Sequence, residues 1–124
     1  SSNWKILKSD DPTRIAYLSE VGTSTIIQVI KEATSGFELK TYHDNLAIVM
    51  MTDEPVSGRS LTVAGLSAYE TVFNLKKDTT SFRMRLVSLE KDDYFYDMVF
   101  STTPGNFDKV NKNFETVVSS FEVE

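Results

Sequence analysis

Cysteine is absent from the 124 residues, and this absence excludes several kinds of chemistry at once. Without thiols the chain has no disulfide, no cysteine nucleophile and no cysteine-bound zinc. Histidine is nearly absent as well, because His43 is the single histidine. Any serine–histidine pair or histidine-rich metal site would therefore depend on that one side chain.

An excess of basic residues is also lacking. The chain carries 13 Lys and Arg against 18 Asp and Glu, which gives a net charge of -5 and a pI near 4.9. Proteins that bind nucleic acids usually present a basic face, and anionic lipid surfaces attract basic segments. We therefore expect neither a nucleic-acid partner nor a charge-driven membrane contact.

Long hydrophobic runs are missing too. The longest run, residues 46–51, is much shorter than the ~20 apolar residues that span a bilayer. The chain begins with Ser1 rather than with methionine, which leaves room for a signal peptide or a lipid anchor upstream. We expect an association with a membrane only through such a removed anchor.

The order of the hydrophobic patterns predicts one α+β domain over residues 1–124. Residues 13–19 and 25–31 are rich in β-branched side chains and indicate a hairpin, and a meander of further strands starts at residue 61. Helices are predicted for residues 37–51, where Ser35 and Glu38 have the spacing of a capping box, and from Pro104 to Phe121. The apolar stripe of the second helix consists of Phe107, Val110, Phe114, Val117, Val118 and Phe121. The fold class is an antiparallel meander packed against amphipathic helices.

Side-chain alternation along the last two strands suggests their register. A loop at residues 90–92 would put the large apolar side chains of both strands on one buried face, with Met98 opposite Met84. The same register places Arg85 opposite Asp97 on the other face, as a favourable cross-strand pair. Glu70, on the preceding strand, would approach Arg85 from the opposite side. We therefore predict an acid–base–acid ladder across three strands.

Three segments resemble a known family. The segments are VAGLSAY at residues 63–69, YFYDMVFS at 94–101 and VVSSFEV at 117–123. They are similar to the small-residue strand, the aromatic strand and the final-helix ending of PsbP-like domains, over residues 37–124. The resemblance implies an antiparallel sheet between helices, and mostly non-enzymatic members that include photosystem subunits, a Ran-binding transport factor and bacterial lipoproteins.

The chain departs from the photosystem members of that family in two places. It lacks their N-terminal motif with Pro and Trp, and it has NFDK at residues 106–109 where they carry arginines. The resemblance therefore favours a bacterial, secreted or lipid-anchored relative.

The remaining polar residues favour ordinary structural roles. His43 is expected at the edge of a helix stripe with one nitrogen in solvent. Pairs of acidic residues fall at predicted turns, where Asp caps backbone amides, and none has the spacing of a calcium loop. We expect no catalytic residue, no metal site and no cofactor.

Two kinds of function stay open. One is a non-catalytic, extracytoplasmic binding or accessory domain that contacts a protein partner. The alternative is a small-molecule or lipid-binding module with a pocket between helix and sheet. The candidate binding residues are those of the charged ladder, Glu70, Arg85 and Asp97, together with Arg83.

Overall fold

The computed structural model describes residues 4–6, 13–20, 25–52 and 54–121. The strands are β1 (Trp4–Ile6), β2 (Arg14–Glu20), β3 (Thr25–Ala33), β4 (Ser57–Val63), β5 (Leu66–Lys77), β6 (Thr80–Lys91) and β7 (Tyr94–Thr102). The helices are α1 (Leu39–Met50) and α2 (Phe107–Ser120), and a 3-10 turn (Pro104–Asn106) leads into α2. No helix in these ranges is long and apolar enough to cross a membrane.

The seven described strands form one antiparallel sheet in the order β1-β2-β3-β7-β6-β5-β4. The predicted hairpin of β2 and β3 is present, and it joins the sheet through β3 alongside β7. Strands β6 and β7 thus lie in the interior of the sheet, and β4 lies at one edge.

A helix covers each face of this sheet. On one face α2 buries Val110, Phe114 and Val118 against side chains of β6 and β7, including Val87 and Met98. On the other face Ala47 of α1 packs with a second group of apolar side chains, Phe73, Met84, Leu86 and Val99. The predicted α+β fold, with helices on both sides of an antiparallel sheet, is confirmed.

The register predicted for β6 and β7 is wrong by three residues. Arg85 pairs with Phe100, Val87 with Met98, and Ser88 with Asp97. The turn is shorter than expected, since Lys91 pairs with Tyr94 and only Asp92 and Asp93 lie between them, both with positive φ. Asp tolerates this left-handed conformation, which two-residue hairpin turns require. Side chains alternate between the two faces of a sheet. A register shift by an odd number of residues therefore places each β6 side chain on the face opposite to that of the β7 residue predicted to pair with it.

Helix α1 begins two residues later than predicted. Glu38 is its N-cap and makes no side-chain capping hydrogen bond, so the predicted capping box is not formed. The buried positions are His43 and Ala47, whereas the apolar Val49 is exposed. The helix therefore presents a histidine to the sheet and leaves part of its apolar surface outside.

Helix α2 follows the prediction closely. Pro104 starts the 3-10 turn, and Thr103 precedes it as N-cap without a side-chain capping bond. The buried residues Val110, Phe114 and Val118 recur at steps of four and belong to the predicted stripe. The long run of matching spacing explains why this element could be located from the sequence.

The β4–β5 turn supports a first prediction. Ala64 and Gly65 connect Val63 to Leu66, and both have positive φ. A Cβ at Gly65 would meet no atom within 4 Å, so only the backbone conformation disfavours a larger residue there. Gly65→Ala should lower the free energy of unfolding by about 1–2 kcal/mol in a urea titration.

Gly105 provides the matched control for this substitution. A Cβ added at Gly105 would likewise meet no atom within 4 Å, but the φ of this glycine is not positive. Gly105→Ala should therefore leave stability unchanged or raise it slightly, by reducing the entropy of the unfolded chain. Equal losses in the two variants would contradict the role assigned to the positive φ of Gly65.

Candidate functional site

Arg85 is a buried arginine in the interior of the sheet. It lies on the α2 face of β6, and its side chain is only 1% exposed. Its Nε lies 2.7 Å from Oε1 of Glu70 on β5, and its Nη1 lies 2.8 Å from Oε1 of Glu115 on α2. Nη1 also donates to Oδ1 of Asn111 at 3.1 Å. The guanidinium thus ties two strands to the helix above them.

A second arginine joins the same carboxylates from the edge strand. Nε of Arg59 on β4 donates to Oε2 of Glu70 at 2.6 Å, and its Nη2 lies 3.5 Å from Glu115. The carboxylates raise the pKa of Arg59, mainly through the hydrogen bond with Glu70. Arg59, Glu70, Arg85, Asn111 and Glu115 are called the arginine cluster below.

The arginine cluster lines a cavity of about 380 Å³ between α2 and the sheet. Arg83 lies in its wall, with Nε donating to Oδ1 of Asn74 at 3.1 Å and the guanidinium 5.7 Å from the ring centroid of Phe107. Glu70, Arg83 and Arg85, three of the four predicted site residues, therefore surround one cavity. Their role in binding stays a prediction.

Asp97, the fourth predicted site residue, lies elsewhere. Because the register is shifted, its side chain is on the α1 face, opposite the face that holds Arg85. It accepts hydrogen bonds from Oη of Tyr42 and, at 2.7 Å, from Oγ of Ser88. The predicted Arg85–Asp97 pair is wrong. The predicted contact of Glu70 with Arg85 is present, and Glu115 supplies the second carboxylate.

His43 extends the Asp97 contacts into a buried chain of hydrogen bonds. The histidine is 1% exposed, so the expectation of a solvent-exposed nitrogen is wrong. Its Nδ1 lies 2.8 Å from Oγ of Ser88, and its Nε2 lies 2.8 Å from Oγ1 of Thr71. The chain Thr71–His43–Ser88–Asp97–Tyr42 is called the histidine chain below.

The direction of each bond in the histidine chain follows from donor counting. Ser88 has one hydroxyl proton and donates it to Asp97, so Nδ1–H of His43 must donate to Ser88. In a neutral ring Nε2 then accepts from the hydroxyl of Thr71. This assigns the Nδ1–H tautomer to His43.

Burial shifts the titration of the acidic and basic members of the chain. Desolvation raises the pKa of Asp97 to about 6, although the hydrogen bonds from Tyr42 and Ser88 act in the opposite direction. Desolvation also lowers the pKa of His43 below its usual 6.5. Burial, with Asp97 beside it, raises the pKa of Tyr42. His43 is therefore neutral at pH 7.

The histidine chain is not arranged for nucleophilic catalysis. In such a site the histidine accepts the serine proton, whereas here Ser88 donates to Asp97 and is fully buried. No group of three or more His, Asp or Glu side chains within the described ranges is placed to hold a metal ion. The arrangement can order α1 on the sheet, and Tyr42 strengthens it by stacking on Phe95 at 3.9 Å between ring centroids.

Sequence reasoning missed Arg59, Glu115 and the histidine chain. A signal was present for the chain, because Ser88 and Asp97 interrupt otherwise apolar strand segments. A polar residue in a strand buried on both faces needs a partner. Arg59 and Glu115 gave no such signal, since both are more than half exposed and lie far from Arg85 in the chain.

Sequence comparison finds no relative, and structural comparison finds several. No protein-family model matches, and no curated protein matches. Cyanobacterial PsbP (CyanoP) from Synechocystis sp. PCC 6803 superposes with a TM-score of 0.69 and 17% identity, over 99% of this chain and 83% of that one.

Two further solved structures have the same architecture. Protein PA94 of unknown function from Pseudomonas aeruginosa has a TM-score of 0.72 and 12% identity, over 98% of this chain and 82% of that one. LpqN of Mycobacterium tuberculosis, described as involved in cell envelope biogenesis, has a TM-score of 0.70 and 10% identity, over 98% and 78%. At such identities the likeness is one of fold, and the chain has the PsbP-like fold that its sequence motifs predicted.

Proposed function

We propose that this chain is a non-catalytic accessory domain that acts outside the cytoplasm by binding a protein partner. The observation that carries the proposal is an exposed apolar surface formed by α1 and the segment just before it. Phe37, Ile48 and Val49 are 58%, 66% and 82% exposed. Soluble proteins seldom leave large apolar side chains together on one surface unless that surface binds something.

The exposed surface contains a shallow groove of about 260 Å³. It is lined by Phe37, Tyr42, Asn45, Leu46 and Val49, and is called the α1 groove below. Tyr42 forms a rigid side of it, because its ring stacks on Phe95 and its hydroxyl donates to Asp97. Ordered aromatic side chains at the centre of an apolar patch are typical anchors of protein interfaces.

Charge near the α1 groove indicates the chemistry of its partner. Glu32 lies close enough to Tyr42 to contribute to the raised pKa of its phenol, and Glu38 is the chain neighbour of Phe37. Both carboxylates are exposed, whereas the nearby Lys40 is paired with Asp44 at 2.7 Å. The partner segment that fits is therefore apolar and carries a lysine or arginine toward these acids.

The location outside the cytoplasm has support of a different kind. LpqN, which shares the fold, is described as involved in cell envelope biogenesis. Protein binding is favoured over catalysis because the buried polar chain under α1 serves the fold and offers no exposed nucleophile.

Substitution in the α1 groove tests the proposal. Tagged wild-type protein and Val49→Asp would be used to capture proteins from a cell-envelope fraction. Val49→Asp should lose a captured protein that the wild type retains, with binding at least about tenfold weaker, because a carboxylate would be buried in an apolar contact. Addition of the purified captured protein should shift the NMR signals of Phe37 and Leu46.

Asn113→Asp is the matched control, since it adds the same charge on an exposed position of α2. It should capture the protein as well as wild type does. Equal capture by Val49→Asp, or NMR shifts confined to the α2 side of the sheet, would overturn the proposal.

A further inference from the structure

The cavity beside α2 has features of a ligand site that the arginine cluster alone does not explain. Its volume of about 380 Å³ lies in the range of ~300–1,000 Å³ that small-molecule pockets occupy. It is on the α2 face of the sheet, so it is separate from the α1 groove. Some of its charged residues form ion pairs with one another, and others form no ion pair.

Arg85, Glu70 and Glu115 form ion pairs with one another, although Nε of Arg85 makes no aligned hydrogen bond. Each carboxylate contacts two arginines, and Arg85 contacts both carboxylates. These charges form the floor of the cavity, and they are already paired with one another rather than with a ligand. The floor is therefore close to neutral.

Arg83, which is partly exposed, and Asp108, which is exposed to solvent, are the lining charges that form no ion pair within the described ranges. Nε of Arg83 donates to Asn74, but its two terminal amino groups have no hydrogen-bond partner within the described ranges. The carboxylate of Asp108, in the first turn of α2, has no ion-pair partner there either. The cavity wall thus offers one free cationic fork and one free carboxylate.

Apolar side chains complete the lining. Val72 is buried in the wall, Phe107 supports the guanidinium of Arg83 at 5.7 Å, and Val56 is half exposed. An arginine fork recognises a carboxylate through two parallel hydrogen bonds, and a free Asp recognises an ammonium group. A ligand that matches all three features carries a carboxylate, an ammonium group and an apolar body.

We propose that this cavity binds an α-amino acid with an apolar side chain, through its carboxylate at Arg83 and its ammonium group at Asp108. The apolar side chain packs between Val56 and Val72. The arginine cluster keeps the floor rigid and electrically neutral, so that Arg83 and Asp108 decide which ligand charges are accepted. This assignment does not depend on partner binding at the α1 groove.

Three probes of one shape test the assignment. L-Phenylalanine carries both charged groups, 3-phenylpropanoate lacks the ammonium group, and 2-phenylethylamine lacks the carboxylate. NMR titration at millimolar concentration should show that L-phenylalanine shifts the signals of Val56 and Val72. Each of the other two probes should bind roughly tenfold more weakly, the loss expected for one charge-assisted contact.

Substitutions then assign each charge to a residue. Arg83→Gln should weaken L-phenylalanine by roughly tenfold and 2-phenylethylamine very little, and Asp108→Asn should remove the preference for L-phenylalanine over 3-phenylpropanoate. Lys112→Gln, which removes a positive charge from an exposed position of α2, is the control and should bind as wild type does.

Two outcomes would overturn the inference. One is that L-phenylalanine leaves the signals of the cavity unchanged in folded wild-type protein. The other is that Arg83→Gln, with an unchanged circular dichroism spectrum, binds L-phenylalanine as tightly as Lys112→Gln does. Neither outcome would affect the α1 groove, because the two surfaces lie on opposite faces of the sheet.

Discussion

Arg85→Ala should lower the free energy of unfolding by about 3–5 kcal/mol, the cost of removing one partner from a buried ion pair. Arg85 is 1% exposed and Glu70 is 6% exposed, so after the substitution the buried Glu70 carboxylate keeps only the half-exposed Arg59 as a partner. The substitution also leaves the side chain of Asn111 without its donor and opens a space under α2. Urea denaturation at neutral pH measures the loss.

Arg59→Ala is the control that separates burial from charge. Arg59 contacts the same two carboxylates, but it is 56% exposed, so water replaces it when it is removed. Its loss should cost no more than about 1 kcal/mol, as for other exposed ion pairs. A loss below about 1 kcal/mol for Arg85→Ala, or equal losses in the two variants, would show that Arg85 is not a central tie of the fold.

The buried position of Arg85 also bears on its role as a predicted binding residue. A side chain with 1% exposure, two ion pairs and a hydrogen bond to Asn111 cannot reach a protein surface without displacing α2. Arg83 makes the proposed contact with the amino-acid carboxylate, and Arg85 supports the cavity from below. The stabilities of Arg85→Ala and Arg59→Ala therefore test the structural role of Arg85 whether or not a partner binds.

The fold could be predicted from the sequence because long periodic segments determine it. The α2 stripe, with Phe114 at its centre, could bury its residues only against a sheet, and the alternating pattern of the strands supplied that sheet. The architecture did not depend on any single turn.

The register of β6 and β7 could not be predicted for a physical reason. The prediction assumed that one face of the meander was exposed to solvent and the other was buried. The pairing that buries Met84 and Met98 on the same face would then be selected. Both faces are covered by helices, and β6 is buried at every position from 84 to 89. Hydrophobicity therefore does not distinguish the two faces, and the observed pairing is the one that closes with the two-residue Asp92-Asp93 turn.

The same shift divided the predicted site between two faces. Glu70 and Arg85 kept their contact, because β5 and β6 pair as the short hairpin after Leu75 requires. Asp97 moved to the α1 face, and Glu115 took its place beside Arg85. The packing of a helix over a sheet determines which exposed carboxylate contacts a buried arginine. The two residues are far apart in the chain, so the local sequence does not predict this contact.

The histidine chain should give this protein an unusual dependence of stability on pH. The pKa of Asp97 is raised from 3.8 to about 6 in the folded protein, mainly by burial, with Glu32 adding to the shift. Between those two values the folded state holds a proton that the unfolded state releases. Asp97 therefore adds stability as the pH falls through 6, and this contribution is lost as the pH rises.

His43 acts in the opposite direction. Burial is the main cause of its lowered pKa, and Lys40 adds to that effect, whereas Asp44 and Glu70 oppose it. Below its usual value of 6.5 the unfolded histidine takes up a proton that the folded one does not. His43 therefore removes stability as the pH falls, and the two contributions partly cancel in the wild type.

Asp97→Asn should separate the two contributions. An asparagine can still accept from Tyr42 through its carbonyl oxygen, while its amide donates to Ser88. Ser88 then donates to Nδ1 of His43, and Nε2–H of His43 donates to Thr71. Every hydrogen bond of the chain is kept, but the Ser88–His43 and His43–Thr71 bonds run in the reverse direction. The variant should fold, and its histidine should change to the Nε2–H tautomer, which nitrogen NMR detects.

The stability difference between wild type and Asp97→Asn is the quantity to measure. Urea titrations from about pH 7 to about pH 4 should show the wild type gaining about 2–3 kcal/mol relative to the variant, the energy that corresponds to a rise of the pKa from 3.8 to about 6. Glu54→Gln, which removes an exposed carboxylate before β4 that contributes to neither pKa shift, should show no such gain. Parallel pH profiles for wild type and Asp97→Asn would mean that the buried carboxylate does not hold its proton at pH 5. An unchanged His43 tautomer would mean that the hydrogen bonds of the histidine chain run in another direction.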